Sequence, residues 1–347
     1  MPTREAVLGA LGRVIDPELR RPVTELDMVR SIEIEGPNVA VTIALTVAGC
    51  PLRSSFEDQV RREVATLDGV GEVTLGFDVM SADERQALTQ KLRGSVSERS
   101  KGLSLDASTR VLAVCSGKGG VGKSTVTANL ATALSRDGLR VGILDADIYG
   151  HSIPHLLGIH QKPVAVDKMI VPPVKDDMKL MSIGFFLDDN QPVMWRGPML
   201  HRALEQFLSD VHWGELDVLV VDMPPGTGDV AISLGQLLPR AEVIVVTTPQ
   251  PAAQEVAARA AFMAKKTSMR LLGVVENMSG DVFGSGGGEA LAEELGVPLL
   301  GTIPLDPRLR EAGDAGEPLV TPEVEEIAAR VAELRPGGIV KPLTLLS

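Results

Sequence analysis

The stretch 111-VLAVCSGKGGVGKSTVTANL-130 admits few folds. Residues 111–114 form a short apolar run that reads as a buried strand, and the spacing of Val126, Leu130 and Leu134 reads as one face of a helix opening at Ser124. The glycine-rich loop between them satisfies G-x-x-x-x-G-K-[ST], with Gly117, Gly122, Lys123 and Ser124 in the diagnostic places. In such a loop Gly117, Lys118, Gly119, Gly120, Val121, Gly122, Lys123, Ser124 and Thr125 wrap a phosphate with backbone N–H groups turned inward. The helix start adds partial positive charge for the same anion. Lys123 is placed to neutralise β- and γ-phosphate oxygens, and the Ser124 hydroxyl to ligate Mg²⁺. Lys118 needs a separate explanation, because two ammonium groups about 4 Å apart repel by about 4 kcal/mol at intermediate dielectric. It must turn away from Lys123 or share a triphosphate with it.

Downstream, apolar runs at 141–144, 216–221, 243–247, 271–275 and 299–303 alternate with helical patterns at 199–208, 252–265, 288–295 and 322–334. The alternation predicts an α/β domain over 109–347, a mostly parallel, doubly wound phosphate-loop NTPase sheet with its ligand beyond the carboxyl ends of the strands. Candidate chemistry falls at those ends. Asp145 and Asp147 follow the second strand; a carboxylate there can serve Mg²⁺ or orient an attacking water. Asp222 ends the hydrophobic strand of 217-DVLVVDMPPGTGD-229, the pattern of a Mg²⁺-serving aspartate, and the Pro/Gly run after it suits a switch loop. Asn277, in 276-ENMSG-280, has the amide donor and acceptor needed to read a base edge.

Residues 1–80 read separately as α-β-β-α-β, a small α+β domain whose first helix carries Ala6, Val7, Ala10, Leu11 and Val14 and stops at Asp16-Pro17. Cys50 precedes Pro51 at the expected start of the second helix, so its thiol is either an activated thiolate in the field of free N–H groups or an inert cap. A polar helix at 81–92 then leaves the domain, and Ser-rich 94–108 reads as a flexible linker, making 81–108 the connection between the two domains.

A net charge of −12 argues against a nucleic-acid or anionic-membrane surface, and no apolar segment approaches spanning length. Two cysteines make no disulfide framework. These features point to a cytoplasmic protein with no nucleic-acid and no membrane partner.

The GKGGVGKS string resembles the deviant phosphate loop of the MinD/ParA/nitrogenase-iron-protein class of ATPases. That resemblance implies a homodimer in which Lys118 reaches the partner's phosphates, Asp147 polarising the hydrolytic water, Asn277 reading adenine and 303-IPLDP-307 closing over the base. The segments 15-IDPEL-19, 24-TELDMV-29 and 46-TVAGCP-51 are similar to the SufT-related iron–sulfur assembly domain, which implies Asp16, Glu18, Thr46 and Cys50 as its candidate site. The whole chain, 195-WRGPM-199 included, resembles the Mrp/ApbC family of iron–sulfur cluster carrier ATPases. The implied cofactors are ATP and Mg²⁺; the implied cargo is an iron–sulfur cluster, and the partners are apo iron–sulfur client proteins and assembly factors. One departure stands out. The C-x-x-C pair that holds a cluster across the family's dimer is absent from 276-ENMSGDVFGSGGGEALAEEL-295, which leaves Cys50 as the candidate thiolate ligand. A MinD/ParA-like positioning ATPase and a Cys50-based scaffold or sensor are the alternatives; a reductase like the nitrogenase iron protein is opposed by the missing pair.

Overall fold

The computed structural model describes residues 2–47, 53–94, 105–148, 150–187 and 197–334, in two compact units. The first comprises 1–107 with 162–174 and 208–214; the second comprises 108–161, 175–207 and 215–347.

In the first unit, helix α1 (Arg4–Leu11) is capped by Thr3, whose hydroxyl accepts the Ala6 N–H, and it buries Val7, Ala10 and Leu11. It ends at Leu11 and not at Asp16-Pro17, and Ala6 is exposed. Val14 is buried from a turn that follows, held by its N–H on the Leu11 carbonyl. Strands β1 (Val29–Glu35) and β2 (Asn38–Leu45) pair antiparallel, and β3 (Val73–Val79) joins β2 in parallel after α2 (Arg53–Ala65). The expected α-β-β-α-β order is therefore present. Helix α3 (Ala82–Gly94) departs from expectation. It does not leave the unit: Leu88 and Leu92, four apart on one face, are buried in its core. The same core takes in Val166, Met169 and Val171, from a hairpin about seventy residues further along, and Thr89 Oγ1 donates to the Val166 carbonyl at 3.2 Å.

The second unit starts with β4 (Arg110–Ser116), the phosphate loop and α4 (Lys123–Arg136). Strand β5 (Val141–Asp145) and the short helix α5 (Ile153–Leu156) follow. The chain then makes the hairpin β6 (Val164–Val166) and β7 (Met169–Val171), an edge pair of residues β8 (Val174–Lys175), and β9 (Met178–Ser182). A 3₁₀ turn at Ile183–Phe186 and α6 (Gly197–Ser209) precede β10 (Val218–Asp222), α7 (Asp229–Leu237), β11 (Glu242–Thr247) and α8 (Pro251–Lys266). Strand β12 (Arg270–Ser279), α9 (Gly287–Leu295), β13 (Leu299–Pro304), α10 (Pro307–Ala315) and α11 (Pro322–Glu333) complete it.

The eight-stranded sheet has the order β13-β12-β11-β4-β10-β5-β9-β8, and every pairing from β13 to β9 is parallel. This is the expected doubly wound sheet, with β9 an additional interior strand. Parallel strands buried on both faces need near-continuous apolar runs, and all five residues of β5 and of β10 are buried. The strand order places β4 between β10 and β11, so the phosphate loop leaves the sheet where successive strands turn to opposite sides.

The core of the first unit makes a prediction. Met169→Ala, a change far along the chain from residues 1–80, should lower the unfolding free energy of the amino-terminal module by about 2–5 kcal/mol. Urea denaturation of the full chain, followed by hydrogen exchange at β1–β3, measures it.

Candidate functional site

The phosphate loop is built by contacts that the motif does not spell out. Gly120 and Gly122 have φ of +81° and +78°, backbone that side chains strain to adopt. Gly117 is required for another reason. A Cβ there would lie 2.2 Å from backbone atoms of Val256 and Ala257, because α8 packs directly on the loop. Gly122 caps α4 with no side-chain cap, so the first N–H groups of that helix remain for an anion. Val121 is buried, and Thr125, in the first turn of α4, is half-buried. Gly119 and Lys118 are exposed, and no ion pair among the described residues engages the Lys118 ammonium.

Lys123 lies buried beneath this loop. Its Nζ stands 2.7 Å from Asp222 Oδ2, 3.4 Å from Asp147 Oδ2 and 3.2 Å from Ser124 Oγ. Asp222 is 0% exposed and also accepts from Ser124 Oγ at 2.7 Å and Thr127 Oγ1 at 2.8 Å. Burial raises the Asp222 pKa, and the Lys123 charge with these donors opposes the rise. The β10–β5 register sets Asp222 level with Asp145. Asp145 is pushed up to about 8, by burial first and by the Asp222 charge second. Asp145 orders the segment after β5: it accepts the N–H groups of Asp147 and Ile153 and the hydroxyl of Ser182. Asp147 in turn accepts the Gly150 N–H at 3.0 Å. The loop after Asp222 returns to the phosphate loop through the Gly226 N–H on the Ser116 carbonyl. Asn277 joins the same centre, its Nδ2 donating to the Val121 carbonyl at 2.9 Å.

The structure thus brings Lys123, Ser124, Asp147, Asp222 and Asn277 to one place. Two carboxylates and a hydroxyl are hard oxygen donors that suit Mg²⁺, which takes one or two carboxylates and completes its shell from phosphate and water. Among the described residues no three His, Cys, Asp or Glu side chains form a metal-holding group. Sequence reasoning missed Thr127, one helical turn from Lys123, and Ser182 at the end of β9; the i, i+4 spacing could have found the first.

The candidate residues of the first unit are less gathered. Asp16 accepts the N–H groups of Glu18 and Leu19, a local turn. Thr46 lines a cavity of about 450 Å³ with Val47, Val79, Ala82, Arg85, Ala165 and Asp167. Cys50 lies outside the described residues, as do Trp195 and Arg196. Cys115 is buried under the phosphate loop, and burial pushes its thiol up to about 12, so it is not a thiolate ligand.

Fold and loop together define a P-loop NTPase. Residues 107–334 match the family model described as "NUBPL iron-transfer P-loop NTPase", and the chain belongs to that family. Residues 4–75 match a second model, described as "Iron-sulfur cluster assembly protein". Relatives include the iron-sulfur cluster carrier protein of Mycobacterium leprae (strain TN), 55% identical over 91% of this chain and 87% of that protein. The protein of the same description from Synechocystis sp. is 41% identical over 95% of each. Among solved structures, a nucleotide-binding protein from Archaeoglobus fulgidus in complex with ADP is 37% identical, with a TM-score of 0.53 over 65% of this chain and 89% of that one. The Pyrococcus furiosus cell division ATPase MinD shares the fold, at 23% identity and a TM-score of 0.51 over 65% of this chain and 99% of that one.

Lys123→Ala should cost about 3–5 kcal/mol of stability, because Asp222 would stay buried without its cation. Chemical denaturation at pH 7 without nucleotide measures it. Cys115 gives a pH prediction. Its folded pKa lies above the free-thiol value of about 8.5, so above that pH the unfolded chain loses a proton that the folded chain keeps. Its contribution to stability therefore falls by up to about 1.4 kcal/mol per pH unit between about pH 9 and 12. The difference between wild type and Cys115→Ala, measured across that range, isolates it.

Proposed function

We propose that this chain is an ATP-hydrolysing carrier that assists iron–sulfur cluster assembly and transfer to apoproteins, acting in the cytoplasm as a homodimer. The observation that carries the reading is the union, in one chain, of the buried Lys123–Asp222–Asp147 centre with a module matched to iron–sulfur cluster assembly proteins.

In this reading residues 1–80 are the assembly module, 81–108 connect it, and 109–347 form the ATPase. The residues Gly117 to Thr125 hold the triphosphate through backbone N–H groups. The γ-phosphate competes with Asp222 and Asp147 for the Lys123 ammonium and draws it from them. Ser124, Asp222 and Asp147 are then the groups that would hold Mg²⁺, which when bound supplies positive charge to the phosphate oxygens. Asp147, held by Asp145 and next to Lys123, places the attacking water. Lys118 is exposed, as a side chain that reaches into a partner's site must be. Asn277 presents its amide to adenine. The cluster is cargo, and Cys50 is its candidate ligand, with client thiols completing the shell.

Lys118→Ala should lower ATP turnover by about 10³-fold, by analogy with arginine fingers, while the protein still binds ATP. Steady-state phosphate release beside equilibrium binding tests this; turnover within twofold of wild type would remove the cross-subunit role. The carrier reading is tested by anaerobic reconstitution with iron and sulfide. Wild type should retain iron that Cys50→Ala loses, whereas no iron in either would reduce the chain to an ATPase with an indirect part in assembly.

A further inference from the structure

The nucleotide chemistry described above does not use Glu276. This residue is 1% exposed, immediately precedes Asn277 on β12, and is flanked by Thr247 of β11 and Thr302 of β13. Among the described residues its carboxylate makes no hydrogen bond to the phosphate loop. It turns to the amino end of α9, where Oε1 accepts the Gly286 N–H at 3.2 Å and Oε2 the Gly288 N–H at 2.5 Å. A negative group there satisfies orphan helix donors and meets the positive end of the helix dipole. The approach is close: a Cβ on Gly288 would lie 2.5 Å from Glu276 Cβ, and one on Gly287 would lie 2.4 Å from the Pro249 carbonyl oxygen. Gly287 and Gly288 thus let the helix seat directly on the strand ends, while Gly286 supplies the left-handed turn at φ +89°.

The next two residues leave regular pairing. Between Glu276 and Ser279, β12 advances three residues while β13 advances two, from Thr302 to Pro304. Met278 sits in the left-handed region at φ +60°, which strains a side chain of its shape. Bulges of this kind re-aim side chains, and Asn277 lies within this one. Its Nδ2 is committed to the Val121 carbonyl, and a Cβ on Gly122 would lie 2.2 Å from it. The amide is therefore held against the phosphate loop through Nδ2, with Oδ1 left as the acceptor.

We propose that Glu276 is a positioning residue for base recognition: by tying the end of β12 to α9 it holds the bulged Asn277 so that Oδ1 accepts from the 6-amino group of adenine. The proposal rests on the reading of Asn277 as the adenine contact. It assigns Glu276 a part in selecting adenine over a 6-oxo base, which offers no donor to Oδ1.

Calorimetric titration of the full chain with ATP and with inosine triphosphate tests it. Wild type should prefer ATP by about tenfold, the scale of one hydrogen bond and one acceptor clash. Asn277→Ala should lose the preference. Glu276→Ala should bring the ratio to within about twofold of unity. Glu276→Gln, which keeps an accepting oxygen, should fall between. Gly288→Ala pushes the helix from an intact Glu276 and should act like Glu276→Ala, which covers the case in which that variant fails to fold. In the double variant Glu276→Ala/Asn277→Ala the ratio should equal that of Asn277→Ala alone. If the Glu276 and Gly288 variants keep the wild-type ratio, or weaken both nucleotides alike, while Asn277→Ala loses it, the positioning role is overturned and the adenine contact stands. If Asn277→Ala keeps the ratio, the adenine contact fails and the positioning role fails with it.

Discussion

Buried negative charge at the carboxyl end of the sheet is the constraint on which the nucleotide unit depends. Parallel pairing brings Asp145 and Asp222 level on neighbouring strands, both fully out of solvent. A bare carboxylate in such a place is expensive, and two side by side are more so. The fold answers with one cation and a set of donors. Lys123 enters from the first turn of α4, Ser124 and Thr127 add hydroxyls to Asp222, and Ser182 with two backbone N–H groups serves Asp145. The motif lysine is therefore a structural counter-ion in its own right. Helix α4 is tied to β10 by the same bonds that would poise the site, so a ligand that attracts Lys123 necessarily acts on the ends of β5 and β10.

What was legible in the sequence divides along the same line. The phosphate loop, its flanking strand and helix, and the aspartates at strand ends could be read because their chemistry requires a short local string. The reason for Gly117 could not, since it lies in α8, some 140 residues away, pressing on the loop. Strand β9 was missed because five residues with a buried Lys179 among them carry neither clear alternation nor a clean apolar run. The three-residue strands of the 164–171 hairpin are too short to show a period at all. Helix α3 reads as a departing polar helix because most of its residues are polar; only Leu88 and Leu92 mark its apolar buried face, in a core that includes that unseen hairpin.

Glycine has two separate uses in this chain, and they identify two kinds of pressure. At Gly120 and Gly122 the backbone itself must be left-handed, as phosphate wrapping demands. At Gly117, Gly287 and Gly288 the torsions are ordinary and the need is closeness: a helix is seated on a loop or strand end with no room for a methyl group. A motif search scores the first kind. The second kind marks where helices α8 and α9 are fixed against the carboxyl ends of the strands, the edge that carries the phosphate loop.

The two units share the chain in more than one passage. A single linker between independent domains leaves their motions uncoupled by default. Here the chain passes between units after residues 107, 161, 174, 207 and 214. The excursion at 162–174 begins soon after α5, whose first residue, Ile153, donates its N–H to Asp145, and it ends just before β9, whose Ser182 donates to the same carboxylate. The second-unit segments on either side of the excursion thus meet at Asp145. The core of the amino-terminal module is thus completed by residues that follow the phosphate loop in the chain.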